Sequence, residues 1–471
     1  MSNRLIFLIV AAAALAMAAL GCNSNNSGIS QQSFTLVGSK QGQAVGFADV
    51  DGDSIEDKIV GAPYAASVSA TGAALVYRGM TSSGYSSTNT ALLQGGNDNF
   101  GYSFVNLGDV DNDGKADFAI SAIHGSGDEQ GDTSLSGSVT VFKGGGNGQI
   151  IRKLGGDGPM DKFGYALAAG DIDGNGQPDL IVSAPFNTND PARYQSGAVY
   201  VYFAPDFTTR VALYASTMNK SLGLGVASGD VNGDGIADLL MSASGKVLVY
   251  FGVDFNVAAF DPAIDSPNIT LTSAAAGFGK AIAVIGDLDG DLTTAEIAIG
   301  APGAVINLYR DTGSVFIVRG SATGTVSLDV VPQAALLVRM NGAGLFNRFG
   351  AALSALGDVD GDGKPDFAVG APMADVTTLS GQNLLSGKVY LFKGKDITST
   401  ATLANSMEFE GLVKNQQFGT SLAKSTSGKL LIGAPRSNMD TGGVMMVDPA
   451  TGQAVAGGSS GGATGGTGDC H

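Results

Sequence analysis

Six short stretches of the chain gather carboxylates at a spacing that suits a metal ion. They are DVDGDSIED from Asp49, DVDNDGKAD from Asp109, DIDGNGQPD from Asp171, DVNGDGIAD from Asp230, DLDGDLTTAE from Asp287 and DVDGDGKPD from Asp358. In five of them Asp or Asn fills positions one, three, five and nine. The donor sets are Asp49, Asp51, Asp53 and Asp57; Asp109, Asp111, Asp113 and Asp117; Asp171, Asp173, Asn175 and Asp179; Asp230, Asn232, Asp234 and Asp238; and Asp358, Asp360, Asp362 and Asp366. The stretch from Asp287 is one residue longer, so Asp287, Asp289 and Asp291 are followed by Glu296. Hard oxygen donors on alternate residues, a backbone carbonyl at position seven and Gly at position four or six to permit the bend suit Ca²⁺. Mg²⁺ keeps its waters and tolerates few carboxylates. Zn²⁺ is unsupported, because the two His of the chain, His124 and His471, lie outside these stretches.

An EF-hand begins in the same way but needs a Glu at position twelve and flanking helices. Here position twelve is Val60, Ile120, Val182, Met241 or Val369, each inside an apolar run. The loops therefore join strands. Repetition favours a structural metal that ties two strands together over a catalytic or sensing one, and both readings make stability depend on calcium.

The surrounding sequence repeats with the loops, about every 60 residues. A Gly-containing strand such as FGYSF, FGYAL, FGKAI or FGAAL comes before each loop. An apolar strand ending in small residues follows (IVGAP, AISA, IVSAP, LLMSAS, IAIGAP, FAVGAP). An alternating strand (GAALVYRG, GSVTVFKG, GAVYVYF, GKVLVYFG, GSVFIVRG, GKVYLFKG) and a weaker fourth strand complete the unit. A seventh copy, residues 418–448, lacks the aspartates and has no evident fourth strand after Asp448, whereas SFTLVGS at 33–39 is a fourth strand with nothing before it. These patterns predict an all-β chain: a seven-bladed β-propeller of four-stranded blades, the N-terminal strand closing the last blade. Closure would remove open sheet edges.

Phe-Gly, an aspartate loop and Gly-Ala-Pro are the signature of FG-GAP repeats, and the array over 33–449 resembles the β-propeller at the head of integrin alpha subunits. That resemblance implies a calcium-stabilised module for protein binding or cell adhesion, the loops on one face and the partner on the other. It also implies that aromatics just after the Gly of the first strand cage a basic side chain by cation-π attraction. Phe47, Tyr102 and Tyr165 are assigned to that slot, with Lys280, Ala351 and Thr420 in later repeats. The plainer alternative is that these rings fill the mouth of a central channel. Uneven connections between the second and third strands mark the same face as the place to look for a ligand.

The first 21 residues, with one Arg and an apolar run from Leu5 to Leu20, read as an export signal. Its end at Cys22 resembles a bacterial lipoprotein signal, with Ala19 where Leu is usual, and implies lipidation of Cys22 and a membrane-anchored, exported protein. Residues 22–32 read as a polar tether and 450–471 as a Gly/Ser-rich tail. With only Cys470 left, no disulfide framework is available once Cys22 is lipidated. A net charge of −17 argues against nucleic acid. No His-based catalytic set has a credible scaffold and Trp is absent, so the sequence argues against an enzyme. A protein ligand is expected, a surface glycan the alternative.

Overall fold

In the computed structural model each repeat becomes a four-stranded antiparallel meander. The structure describes residues 39–455 apart from short internal stretches, the longest being 126–134 and 253–266. The third repeat shows the plan: Leu167–Gly170, Asp179–Ala184, Ala198–Tyr202 and Arg210–Tyr214 lie in that order across one sheet. The sixth repeats it with Ala352–Gly357, Asp366–Ala371, Lys388–Phe392 and Ser406–Glu410. Every aspartate loop is the turn from a first to a second strand, because Gly and Asp break the apolar run there.

The second strands carry unbroken apolar runs, and those of the second, third, fifth and sixth repeats are buried at every residue. Each is covered on both faces, since apolar clusters fill the space between successive sheets. Leu107, Val139 and Phe163 pack with Leu180, Val182 and Tyr200 between the second and third repeats. Val389, Leu391 and Phe409 pack with Leu430, Ile432 and Val447 between the sixth and seventh. The last and first repeats share a cluster too, in which Leu431, Val444 and Met446 meet Val45, Phe47, Val60 and Leu75.

A second contact recurs between neighbouring repeats. The Gly that opens a third strand lies against the Phe-Gly step of the next repeat: Gly72 beside Phe100, Gly197 beside Leu222, Gly313 beside Phe349. Only glycine fits. At Gly313, with φ 88°, a Cβ would meet the backbone oxygen of Phe349 at 2.2 Å. Gly442 of the last repeat makes the same contact with Gln41, whose N–H donates to the Thr441 carbonyl at 2.9 Å.

This contact corrects two sequence expectations. The Phe-Gly step of the first repeat is Gln41-Gly42, where the Gly42 N–H donates to the Gly61 carbonyl as Gly164 does to Ser183. Gly46-Phe47 lies further along, in the strand Val45–Ala48. The last repeat also has a fourth strand of its own: Gln453–Ala454 pairs with Val447 and Asp448. A turn closed by Gly452 N–H to the Asp448 carbonyl, 2.8 Å, returns the chain. Of the segment expected to supply that strand, only Ser39 is described, and its hydroxyl donates to Thr441. The expected export signal, Cys22, the tether, most of the tail and Cys470 lie outside the described residues.

Candidate functional site

Each aspartate loop is organised by its first carboxylate, which accepts hydrogen bonds from its own loop. Asp109 accepts from the Asp113 and Gly114 N–H groups at 2.9 and 2.8 Å, and Asp358 accepts from Gly361 and Gly363 at 2.7 and 2.8 Å. The fifth position accepts from the seventh, as Asp113 does from Lys115 N–H at 3.0 Å. Position seven is thereby turned with its N–H inward along the loop.

The ninth position differs from the others. Asp57, Asp117, Asp179, Asp238 and Asp366 are buried beneath their loops, and each takes two backbone N–H groups, one from position two and one from the end of the third strand. For Asp117 these donors are Val110 at 3.0 Å and Gly144 at 2.8 Å. The carboxylate therefore latches the third strand to the loop, a role beyond the metal donation expected from its position in the sequence. Burial pushes the acids up, Asp57 and Asp238 to about 6, Asp179 to about 7, and Asp117 and Asp366 in the same direction.

The donor set fits a hard cation. Oxygens of Asp49, Asp51 and Asp53, of Asp109, Asp111 and Asp117, of Asp171, Asp173 and Asp179, of Asp287, Asp289 and Asp291, and of Asp358, Asp360 and Asp366 lie within 4.8 Å of one another in each loop. In the fourth loop Asn232 replaces a carboxylate and its amide donates to Asp234 at 2.8 Å. The fifth loop supplies an independent sign. Glu296 is buried, its Oε2 accepts from Leu288 N–H, and its Oε1 is buried with no hydrogen-bond partner. Burial pushes this carboxyl to about 7. A buried oxygen without a donor is costly, and a cation in the loop would satisfy it.

Four loops carry a cation of their own, from the residue that ends the alternating third strand. The basic residue ending the third strand meets the third-position aspartate: Arg78 with Asp51 at 3.0 Å, Lys143 with Asp111 at 2.5 Å, Arg319 with Asp289 at 2.8 Å and Lys393 with Asp360 at 2.8 Å. In the third and fourth repeats that slot holds Phe203 and Phe251, and there an Asn replaces one carboxylate, Asn175 or Asn232. Four donor acids with a strand-ending cation, or three without one, bring the donor positions and that strand-ending residue to −3 in every copy. The signal was legible: VYRG, VFKG, IVRG and LFKG against VYFA and VYFG.

A different cluster forms at the Phe-Gly steps of the first three repeats. Tyr102 and Tyr165 lie together, ring centroids 5.7 Å apart. Lys280, from the equivalent slot of the fifth repeat, donates to the Tyr165 hydroxyl at 3.1 Å, so an internal cation already serves this aromatic pair. Phe186 packs edge-on to Tyr165 at 6.3 Å with Lys162 over its ring at 4.8 Å. Lys40 sits over the Tyr64 ring at 4.1 Å. His124 Nδ1 lies 2.6 Å from Asn99 Oδ1, and Asn99 also donates to the Pro63 carbonyl. Thus Lys40 with Tyr64, Asn99 with His124 and Lys162 with Phe186 are one pairing made in three successive repeats. Burial, and then nearby Lys162, hold His124 below its usual range. The lysine beside Tyr165 holds its hydroxyl down against the opposing effect of burial, while burial raises Tyr102.

Phe47 does not join this cluster. It is 4% exposed, packs 6.0 Å from Tyr85, and belongs to the core between the last and first repeats. The slot equivalent to Tyr102 and Tyr165 is Gln43, because Gly42 rather than Gly46 makes the Phe-Gly contact. Two glycines four residues apart made the misassignment possible.

Comparison with known proteins agrees with the repeat pattern. The FG-GAP repeat model matches residues 163–202, 222–250 and 349–392. Integrin alpha-V of Gallus gallus is 30% identical over 243 residues, covering 50% of this chain and 21% of the relative. Integrin alpha-4 of Xenopus laevis is 35% identical over 231 residues, 46% of this chain and 20% of the relative. Integrin alpha-PS3 of Drosophila melanogaster is 30% identical over 230 residues, 46% and 19%. The chain spans about a fifth of the length of these curated relatives. Together the repeats and these likenesses support an integrin alpha-like FG-GAP repeat protein.

Proposed function

We propose that this chain is a calcium-stabilised, closed seven-bladed propeller that serves as a non-catalytic module for binding another protein, in the manner of an adhesion domain. The Gln41–Gly442 contact carries the closed architecture: the last repeat meets the first through the contact that joins the others. Ca²⁺ would be held by the first, third and fifth positions of each loop, with the ninth beneath them, and would supply charge neutralisation that fixes the turn between two strands. The residues themselves tie the loop to the third strand through the buried acid, so a filled loop links three strands of a blade. Export and anchoring through lipidated Cys22 complete the proposal, with the propeller held at the cell envelope; no helix among the described residues is long and apolar enough to cross a membrane.

Protein binding is supported by the integrin relatives and by a cluster of aromatic and charged side chains at the Phe-Gly steps. The test is crosslinking capture by the calcium-loaded protein from cell envelopes, with the chelated protein as control. A protein retained only with calcium is the expected result; retention of none, with the propeller folded and calcium-loaded, would overturn the binding role.

A further inference from the structure

The cluster around Tyr102 and Tyr165 carries a charge opposite to what an aromatic cage for a basic side chain needs. Lys40, Lys162 and Lys280 all stand among its rings, and His124 lies close enough to Lys162 for its protonation to be opposed. The rest of the chain is strongly acidic, with 43 Asp and Glu against 26 Lys and Arg. Three lysines gathered on one group of loops in such a chain make a local positive site on a negative body. None of the three has an ion pair among the described residues, in contrast with Lys143, Lys388, Lys393, Lys395 and Lys429. The ammonium groups are held in place by ring faces and by the Tyr165 hydroxyl, which are neutral partners and leave the charges unneutralised.

We propose that this cluster is a binding site for an acidic peptide segment of a protein partner, its Asp or Glu carboxylates received by Lys40, Lys162 and Lys280. The proposal rests on the protein-binding reading and names the chemistry of the partner. An incoming basic side chain would meet like charge, and Lys280 already occupies the position beside Tyr165. Lysines are compact point charges that receive carboxylates without imposing a planar geometry. A peptide fits better than an acidic sugar because Lys40 and Lys162 each cover one face of Tyr64 and Phe186, and the Tyr102 and Tyr165 rings are tilted against each other at 42°.

The test uses the full chain in calcium and a fluorescein-labelled hexaglutamate peptide, with hexalysine and an oligogalacturonate as competing chemistries, read by anisotropy at low salt. Hexaglutamate should bind, and binding should weaken as salt screens it. Lys40→Gln/Lys162→Gln/Lys280→Gln should lose at least about tenfold in affinity, while Lys→Arg at the same three positions retains it. A matched control, Lys153→Gln/Lys246→Gln/Lys414→Gln, removes as many charges elsewhere and should leave binding unchanged. Calcium-dependent melting of every variant checks that it folds. Preference for hexalysine, binding of oligogalacturonate but not hexaglutamate, or equal binding by the Gln triple variant would each overturn the proposal. An envelope protein captured equally by the Gln triple variant would leave the protein-binding role standing and this site refuted. Capture of no protein, with hexaglutamate bound through the lysines, would do the reverse.

Discussion

The loops of the third and fourth repeats and those of the other four solve one electrostatic problem in two ways. In the first, second, fifth and sixth repeats a Lys or Arg from the third strand rests on the third-position aspartate. In the third and fourth, Phe203 and Phe251 occupy that slot and the loop gives up one carboxylate instead, leaving Asn175 or Asn232. Clustered like charges raise the free energy of a folded loop, so each copy must either import a cation or shed an anion. The lesson is that the donor number of a loop cannot be read apart from the strand that ends above it. A resident ammonium both relieves the empty loop and competes with an arriving metal ion.

The largest effect should come from the feature common to both classes. Asp117→Ala removes the acceptor of two buried N–H groups, each worth about 1–3 kcal/mol when left unpaired. Its melting temperature should fall with calcium present or absent; a loss seen only with calcium would make Asp117 a metal ligand and nothing more. Asp238→Ala should behave alike, since its latch to Val231 and Gly252 is the same.

Chelation should separate the classes. Without calcium, amide protection is expected to fall further in 171–179 and 230–238, which have no basic partner at the third position among the described residues, than in 358–366, where Lys393 and Lys395 both reach Asp360. Hydrogen exchange with EDTA reads this directly, and uniform loss across the six loops would erase the distinction. A smaller effect is expected from Lys143→Met. Removing the competing ammonium should strengthen calcium binding at the second loop, by up to about fivefold for an exposed ion pair, and lower the stability of the calcium-free form. Weaker calcium binding would show instead that the lysine supports the filled loop. Asn232→Asp, which adds a fourth carboxylate without a partner, should give the smallest shift in the same two directions, measured by calorimetry and by melting in EDTA.

Much of this architecture was written in the periodicity of the chain. The aspartate loops, the buried second strands and the alternating third strands appear where their spacing put them, because Gly-Asp turns and apolar runs act locally. What depended on alignment between repeats was harder to read. Gln41-Gly42 lacks the Phe of its counterparts, so the nearby Gly46-Phe47 took its place and a core residue was assigned to a binding slot. The two-residue strand Gln453–Ala454 is too short to leave a pattern. The latch made by the ninth carboxylate and the meeting of Lys280 with Tyr165 are contacts between segments far apart in sequence, and residue types alone do not reveal such pairings.

The central claim is that six loops around one ring hold calcium and that the ring depends on it. Calorimetric titration of the calcium-free full chain, with melting followed at each addition, tests it most directly. The account predicts about six ions bound per chain and a melting temperature that climbs with free calcium by mass action. Binding of one ion or none, or a melting temperature indifferent to EDTA, would contradict it.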